Sequence, residues 1–563
     1  MSNSKRTAKV AGMGMLLTAG GVLDLSQLPS ELHLFGDICT AGGIVAVVGA
    51  AGYTIWRRSA SSNRISRRQR RASRTQGTTG IVDQVRGRWR ERRLADVIRP
   101  DLAGQRGHTS LGEWATPLAR SNGVTVPVPL EQHIIRFGAP RSGKTSELAV
   151  RVLDAPGAAV STSTRLDVLD LTAGVRAQFG EVFLFNPGGD GGRVSTIKWT
   201  PVAGCQDILT AQRRAAALIA PEADPSREGW ARDGRDQLAV LLHAAAIVDA
   251  PIRQVQSWAA GLNRENAGQI APSVLAALDA SPARDMMVAM FEAFAALNHK
   301  TRSSIAQQML TGLRWLNDPR CMAIADAAPS GELFDASAFF GGRNTLYLVG
   351  SDNGLHRPLT GALLDEIAER GRERAKAQPT GRLAVPGSLV LDEIKLTTTA
   401  PLDSWTADFG GFGLHLDLSS QSLSQLRGIY GRDRAEEILG NVGALVLYRH
   451  GANVEDMEHW QRLAGSYERD RETRDGDGKV VSVTTESVPT LPAAQLRELR
   501  SGEAAVFVGG QRVIVTDMPN VRDRRDVKQY ASANPFRPQP PQTQYKLKFT
   551  PADAARLADE DAQ

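Results

Sequence analysis

Short apolar runs alternate with runs of helical periodicity in the middle of the chain. Residues 132–137 (QHIIRF) and 344–350 (NTLYLVG) are short and apolar, which indicates buried strands. Residues 145–155 (TSELAVRVLDA) follow the first run with apolar positions at helical spacing. Residues 387–391 (GSLVL) and the alternating run 415–419 add two more strands. Strands and helices in this arrangement predict an α/β domain.

A second pattern occupies the stretch between these strands. From residue 224 to 327 the chain is rich in Ala, Leu, Met and Gln, and its apolar residues recur at i, i+3 or i+4, and i+7. The separation between Lys144 and Asp392 is far longer than one strand–helix–strand unit needs. We therefore predict an all-helical domain over residues 224–327, inserted into the α/β domain, with its methionines in the core.

The N-terminal residues 1–58 contain two apolar runs. The run 38–56 is uncharged and, at ~1.5 Å per residue, approaches the ~30 Å thickness of a hydrocarbon core. The run 10–23 is only marginally long, so a second span, an interfacial segment and the apolar part of a signal peptide all fit it. Basic residues flank both outer ends, whereas only acidic charges lie between the runs. The positive-inside rule therefore favours a transmembrane hairpin with both ends in the cytoplasm.

Composition excludes a disordered chain and fits several folded domains. The 563 residues are 42% hydrophobic and 23% charged, with a net charge of +6. An arginine run, 57–74, opens a basic linker over 59–120. No aromatic residue interleaves the run, so we interpret it as a topogenic flank near anionic lipid rather than a nucleic-acid site. Cys39, Cys205 and Cys321 are too far apart for a CxxC zinc motif or a disulfide framework, so reduced thiols are expected.

The stretch FGAPRSGKTSEL contains a phosphate-binding loop, GxxxxGK[ST], between a predicted strand and a predicted helix. Gly138 and Gly143 allow the backbone to wrap closely around phosphate oxygens, so that amide groups face the negative charge. Lys144 is predicted to bridge the β and γ phosphates of a nucleotide, and Thr145 to place its hydroxyl on Mg²⁺. The residues between the glycines complete the predicted site: Ala139, Pro140, Arg141 and Ser142.

Two carboxylates and one amide stand at the ends of later strands. Asp392 and Glu393 follow GSLVL, so a parallel sheet would deliver both to its carboxyl edge. Asp392 is predicted to hold Mg²⁺ through water, and Glu393 to polarise the attacking water as general base. Taken alone, this motif fits an ordinary strand and acidic turn equally well. Gln421 is placed to orient the water or sense the γ-phosphate, although a surface glutamine fits its spacing better.

The order of these features resembles the type IV coupling proteins, the TraD/TraG-like ATPases of conjugation and type IV secretion. The matching elements span residues 8–518 and are the hydrophobic hairpin, GAPRSGKT, the helical insert, LVLDE, GFGLHLDLSSQSLSQLRGIYG and VPTLPAAQLRELRSGEAAVFVGG. The stretch 421–431 is the most specific of them. STSTRLD, 161–167, stands where many relatives have a DPKGE-like stretch, and it looks similar to the actinobacterial members.

The resemblance implies a RecA-like P-loop ATPase domain with an all-helical insert, preceded by the transmembrane hairpin. It implies a membrane-anchored ring, a homo-hexamer when active, that hydrolyses ATP with Mg²⁺. The substrate would be single-stranded DNA bound to a relaxase, which the ring feeds to the proteins of a secretion channel. By position, Lys144, Glu393 and Gln421 take the catalytic roles. Thr145 and Asp392 take the metal-binding roles.

The sequence leaves alternatives open. An FtsK-like double-stranded DNA translocase would share the anchor, the loop and the ring, but the helical insert and the QSLSQL stretch argue against it. A non-catalytic membrane scaffold is disfavoured by the complete set of nucleotide-site residues. Arg434 and Arg449 are candidates for an arginine that acts on a neighbouring subunit, and for each a solvated surface charge is the simpler interpretation.

The predicted domain boundaries follow from these patterns. The nucleotide-binding domain covers 121–223 and resumes over 328–518, after the insert. From 519 to 563 the sequence becomes polar and then proline-rich, which predicts an extended, flexible tail with a short helix near its end.

Overall fold

A large mixed sheet organises the part of the chain that the computed structural model describes. This part is 94–537 without 105–108, 122–123, 223, 266–269, 450, 452, 476–479 and 510–512. Its strands are, in chain order, β1 (Ala115–Ser121), β2 (Val124–Pro129), β3 (His133–Phe137), β4 (Ala159–Ser163), β5 (Val182–Phe185), β6 (Thr345–Val349), β7 (Gly387–Leu391), β8 (Leu414–Ser420), β9 (Val442–Tyr448), β10 (Ser466–Arg474), β11 (Val480–Pro489), β12 (Glu503–Val508) and β13 (Ile514–Asp517).

Nine of these described strands form one sheet, in the order β13-β12-β9-β3-β8-β7-β4-β6-β5. From β9 to β5 the neighbours run parallel, whereas β12 pairs antiparallel with both β9 and β13. Every residue of β3, β4, β6, β7 and β8 is buried. Strands that are buried on both faces of a sheet appear in the sequence as nearly continuous apolar runs. The predicted α/β class is confirmed.

Helices fill the connections between these strands. The described helices are, in chain order, α1 (Ala95–Ile98), α2 (Lys144–Asp154), α3 (Asp167–Arg176), α4 (Ile208–Leu218), α5 (Pro225–Ile247), α6 (Ile252–Leu262), α7 (Ala271–Leu278), α8 (Arg284–Ala295), α9 (His299–Gly312), α10 (Pro319–Ala325), α11 (Arg357–Lys376), α12 (Ile394–Thr397), α13 (Leu402–Phe412), α14 (Leu423–Tyr430), α15 (Arg432–Asn441), α16 (Val454–Ala464), α17 (Ala493–Arg497) and α18 (Arg525–Gln529).

The helices from α5 to α10 occupy the stretch for which the sequence predicted an inserted domain. Asp224 caps α5 by accepting a hydrogen bond from the amide of Ser226. This long helix packs against α4, α6, α7, α8 and α9, and its Leu238 and Leu242 are fully buried. The chain leaves the sheet after β5 and returns at β6, and these two strands pair with each other. The insert therefore starts and ends at one edge of the sheet.

Residues 519–537 pack against the nucleotide-binding domain, in a stretch where the sequence predicted a flexible tail from 519. Short helical turns at 521–523 and 531–533 flank α18. Val521, Val527 and Phe536 join the buried apolar cluster of α2 and α3. A Cβ on Gly174 of α3 would lie 2.2 Å from the carbonyl oxygen of Tyr530, so the segment packs tightly there. A few apolar residues in a polar stretch hold the segment in place against α2 and α3.

Some predicted segments lie outside the described residues. They are the transmembrane hairpin over 1–58, the linker up to 93 and the final stretch 538–563 with its short helix. Across the part of the chain that is described, no helix combines the length and the apolar character that a membrane span requires.

Candidate nucleotide site

Four parallel strands deliver their carboxyl ends to one cavity. They are neighbours in the order β3-β8-β7-β4, and the carboxyl ends of parallel strands meet at one edge of a sheet. The cavity has a volume of about 680 Å³, within the usual range for small-molecule sites. Its lining comes from all four strand ends and from one distant turn: Pro140, Arg141, Ser142, Gly143, Lys144, Thr145, Ser146, Ser163, Arg165, Asp167, Asp392, Glu393, Ser419, Ser420, Gln421 and Ser501.

The predicted phosphate loop joins β3 directly to α2, which is the order that the motif requires. Gly143 has a φ of 106°, and Arg141 a φ of 60°, so two residues of the loop adopt left-handed backbone conformations. A Cβ on Gly138 would lie 2.6 Å from the Cβ of Tyr448, so only glycine fits there. The loop turns tightly after β3, and its residues from Pro140 onward face the cavity.

Lys144 is the first residue of α2 and is buried. Its Nζ donates hydrogen bonds to the carbonyl oxygens of Gly138 and Ala139, the latter at 3.1 Å. Burial lowers the pKa of Lys144, and the nearby carboxylates of Asp392 and Glu393 oppose that change. The loop backbone therefore holds the ammonium group beside the cavity, where phosphate oxygens would replace the carbonyls as acceptors.

Thr145 and Asp392 meet in the cavity. The Thr145 hydroxyl donates to Oδ2 of Asp392 at 3.1 Å. Asp392 follows β7 directly and is buried, and its amide donates to the carbonyl oxygen of Thr162 on the neighbouring strand β4 at 3.2 Å. A hydroxyl and a carboxylate at this distance fit the oxygen ligands that Mg²⁺ prefers.

Glu393 adopts a conformation that is rare for a residue with a side chain. Its φ is 49° and its ψ is 51°, in the left-handed region. The hydroxyl of Thr164, which follows β4, donates a hydrogen bond to Oε2 of Glu393. Burial raises the pKa of Glu393; the Thr164 hydrogen bond opposes the rise, and Asp392 reinforces it. The carboxyl therefore takes up a proton more readily than an ordinary glutamate.

Gln421 and the two candidate arginines differ in their relation to this cavity. Gln421, at the end of β8, is exposed and lines it. Arg434 and Arg449 are absent from the lining formed by the described residues. The Nε of Arg434 donates to the carbonyl oxygen of Tyr430 at 2.8 Å. Arg449 is exposed, and its carbonyl oxygen accepts a hydrogen bond from the amide of Ala139 at 2.9 Å.

Two groups of residues at the cavity were not predicted. Thr164 and Arg165 follow β4, which lies beside β7, and they reach the cavity because parallel strands end at one edge of the sheet. Ser501 and Gly502 lie on the turn before β12, inside the stretch VPTLPAAQLRELRSGEAAVFVGG, for which the sequence predicted no site residue. The Ser501 hydroxyl donates to a loop carbonyl, and the Gly502 amide donates to the carbonyl oxygen of Ser142 at 2.8 Å. This turn therefore holds the outer side of the phosphate loop.

A buried ionic network connects β3, the strand before the phosphate loop, to β8, the strand that ends just before Gln421. Nη2 of Arg136 donates to Asp417 at 2.7 Å and to Glu147 at 3.1 Å. His415 contacts the other oxygen of Asp417 at 2.9 Å. Although burial favours the neutral acid, Arg136 and His415 hold the pKa of Asp417 well below its ordinary value. Removing one partner of a buried pair costs about 3–5 kcal/mol, so the network keeps β3, α2 and β8 in register.

Comparison with known proteins identifies a family and similar folds. The family described as type IV secretory system conjugative DNA transfer matches residues 88–517, more than half of the chain. The bacterial conjugative coupling protein TrwBdeltaN70, in its unbound monoclinic form, is 18% identical with a TM-score of 0.55, over 73% of this chain and 91% of that chain. TrwB in complex with ADP and Mg²⁺ is 17% identical with a TM-score of 0.54, over 72% and 90%. TrwB with the non-hydrolysable ATP analogue ADPNP is 19% identical with a TM-score of 0.54, over 72% and 89%. A search of curated protein sequences gave no match.

The two kinds of comparison establish different things. At 17–19% sequence identity, the solved structures show a similarity of fold alone. The large sheet and the helices of this chain agree with that similarity. The family match covers the strands, the insert and every residue that lines the cavity. The resemblance carried by the sequence motifs is thus confirmed, and the chain belongs to the conjugative DNA transfer family of type IV secretion, the type IV coupling proteins.

Proposed function

We propose that this chain is a membrane-anchored ATPase that uses ATP hydrolysis to drive relaxase-bound single-stranded DNA into a conjugative secretion channel. The observation that carries the proposal is the 3.1 Å contact between the Thr145 hydroxyl and the Asp392 carboxylate, in a cavity shared with Lys144 and Glu393. Membership of the conjugative DNA transfer family supports DNA as the cargo. The solved complexes of TrwB with ADP and Mg²⁺ and with ADPNP support an ATP site.

The residues of the predicted nucleotide site have proposed roles. The amides of the phosphate loop and the Lys144 ammonium bind the phosphates. Thr145 and Asp392 hold Mg²⁺, which neutralises phosphate charge when it is bound. Glu393 accepts a proton from the attacking water, and Gln421 orients that water. Oε2 of Glu393 accepts the Thr164 hydrogen bond, and the second carboxylate oxygen can face the water at the same time, so Thr164 is proposed as a positioning residue.

The proposed quaternary arrangement follows from the family. A hexameric ring would place an arginine of one subunit against the cavity of the next, with Arg434 and Arg449 as candidates. Arg141 and Arg165 already line the cavity within one subunit and are exposed. The anchor is assigned to residues 1–58 on the strength of their apolar runs and flanking charges.

Replacing Thr164 by valine is expected to move the acid limb of the pH dependence of ATP turnover to higher pH. The Thr164 hydrogen bond opposes the rise in the pKa of Glu393, so losing it leaves the carboxyl protonated up to a higher pH. A general base works deprotonated, so turnover rises with pH through that pKa, and the whole rise shifts upward. The measurement is kcat against pH. Thr311→Val, at an exposed position of α9, is the control and should keep the original profile. An unshifted profile for T164V would contradict the role of Thr164.

The nature of the DNA cargo can be tested with the purified full-length protein in detergent. We expect ATPase activity to be stimulated by single-stranded DNA, and the Glu393→Gln variant serves as the control for contaminating ATPases. Stimulation by double-stranded DNA alone would instead favour an FtsK-like translocase. An absence of turnover with every DNA, in assembled rings, would favour a non-catalytic scaffold.

A further inference from the structure

A second cluster of reactive side chains lies outside the lining of the nucleotide cavity, where the insert rejoins the sheet. Asp318, Cys321 and His356 each offer one ligand atom, and these atoms lie within 4.8 Å of one another. Asp318 is the N-cap of α10, Cys321 lies in the first turn of that helix, and His356 immediately precedes α11. One carboxylate, one thiol and one imidazole therefore converge from two separate segments of the chain.

His356 is the residue that points to a ligand. Its exposed fraction is 3%, and among the described residues Nδ1 has no hydrogen-bond partner, while Nε2 faces only the carboxylate of Asp318. Its Nε2 lies 3.4 Å from Oδ2 of Asp318, so the ring is turned toward the cluster. Buried polar groups in native proteins are almost always satisfied, and one that is not calls for an explanation such as a bound ion.

We propose that Asp318, Cys321 and His356 form a structural binding site for a divalent transition metal of the zinc type. Sulfur, imidazole nitrogen and carboxylate oxygen are the donors that zinc takes in proteins. The thiol disfavours Mg²⁺ and Ca²⁺, which take oxygen ligands. Donors ~2.0–2.3 Å from a tetrahedral zinc ion are about 3.6 Å apart. The ligand atoms of the cluster are separated by up to 4.8 Å, so the widest separation must shorten by about 1 Å, which side-chain rotation allows.

Gly188 leaves space beside the imidazole. A Cβ built on Gly188 would lie 2.9 Å from Cε1 of His356 and 3.3 Å from Oδ2 of Asp190. Asp190 does not belong to the group of three whose ligand atoms lie within 4.8 Å of one another. A water molecule would therefore complete the tetrahedral set.

Arg320 is the cation that faces this site. Its Nη2 lies 2.9 Å from Oδ2 of Asp318, and its Nε donates to Oδ1 at 3.1 Å. The Arg320 side chain is 65% exposed, so it can turn into solvent when a metal takes Oδ2. A carboxylate also has lone pairs for both partners. Cys321 is fully buried, and its thiol lies 3.6 Å from the carbonyl oxygen of Pro187, a weak contact that a metal bond would outweigh.

The position of the cluster gives the site a structural role. Asp318 and Cys321 belong to the last helix of the insert, Pro187 and Asp190 follow β5, and His356 follows β6. A bound metal would cross-link the end of the insert to the segment that follows β6 of the nucleotide-binding sheet. The zinc-loaded protein is therefore expected to be more stable than the free protein, because a ligand that binds only the folded state stabilises it.

The test uses the tag-free full-length protein, with Mg²⁺ in excess and no nucleotide, and adds Zn²⁺ or Co²⁺ alone as the probe. We expect about one Zn²⁺ per chain in competition with a chromophoric chelator, and a rise in Tm. Bound Co²⁺ should give intense visible bands and a thiolate-to-cobalt band in the near ultraviolet. Cys321→Ser and His356→Gln should each weaken Zn²⁺ binding by more than the roughly 10- to 100-fold that is typical of outer-shell partners. Cys205→Ser, at another buried cysteine, is the matched control and should bind as the unmodified protein does.

Two results would overturn the proposal. One is a C321S or H356Q variant that binds Zn²⁺ as tightly as the unmodified protein. The other is a cobalt spectrum of the unmodified protein that lacks the thiolate band. The second result does not depend on any variant, so it decides the matter even if a substitution prevents folding.

Discussion

Replacing Glu393 by glutamine is expected to reduce ATP turnover by roughly 10²- to 10⁴-fold and to leave ATP binding unchanged. The amide has the shape of the carboxyl group but cannot take a proton from water. It can still accept the hydrogen bond from Thr164, so the left-handed backbone at this position keeps its local support. The measurements are kcat in the presence of single-stranded DNA and equilibrium binding of a fluorescent ATP analogue.

Glu437→Gln is the matched control, since Glu437 is exposed on α15 and lies outside the cavity lining. It should change neither binding nor turnover. If E393Q hydrolyses ATP at the rate of the unmodified protein, Glu393 is not the general base. If E393Q also fails to bind ATP, the predicted separation of binding from chemistry is wrong.

Replacing Lys144 by alanine is expected to weaken ATP binding by roughly 10- to 100-fold, because hydrogen bonds to charged groups contribute about 1.5–3 kcal/mol. Among the described residues the ammonium donates its hydrogen bonds to the carbonyl oxygens of Gly138 and Ala139 in its own loop, where water can replace it. The Tm of the free protein should therefore change little, whereas the rise in Tm on adding ATP should be largely lost. Thermal unfolding with and without ATP measures both effects.

Lys198→Ala provides the control, because Lys198 is exposed and does not line the cavity. It should preserve the stabilisation by ATP. An equal rise in Tm with ATP for K144A and the unmodified protein would show that Lys144 does not bind the phosphates.

The parts of the site that the sequence predicted are the parts set by local pattern. The loop from Gly138 to Thr145 is contiguous, and the apolar run before Asp392 marks a buried strand. Parallel strands bring their carboxyl ends to one edge, so a motif after one strand must lie near a motif after its neighbour. Lys144, Thr145, Asp392, Glu393 and Gln421 accordingly surround one cavity.

The parts that the sequence did not predict depend on which strands are neighbours. Thr164 reaches Glu393 because β4 lies beside β7, and nothing in the sequence around either residue records that pairing. Ser501 reaches the loop across a still longer separation. A few apolar residues hold the segment 519–537 against α2 and α3. They are too few to raise the average hydropathy of a polar stretch, so the sequence pattern did not reveal them. In each case the deciding contact is long-range, so no local pattern carries it.

The strand order also affects how the chain folds during synthesis. β3 lies between β8 and β9, which the ribosome produces only after the whole insert. The insert helices, in contrast, contact helices that are close to them in sequence. Local contacts form faster than long-range strand pairs, and large proteins fold through such partly structured states. A nascent chain that has just completed the insert therefore combines folded helices with unpaired apolar strands, which is the kind of species that chaperones protect.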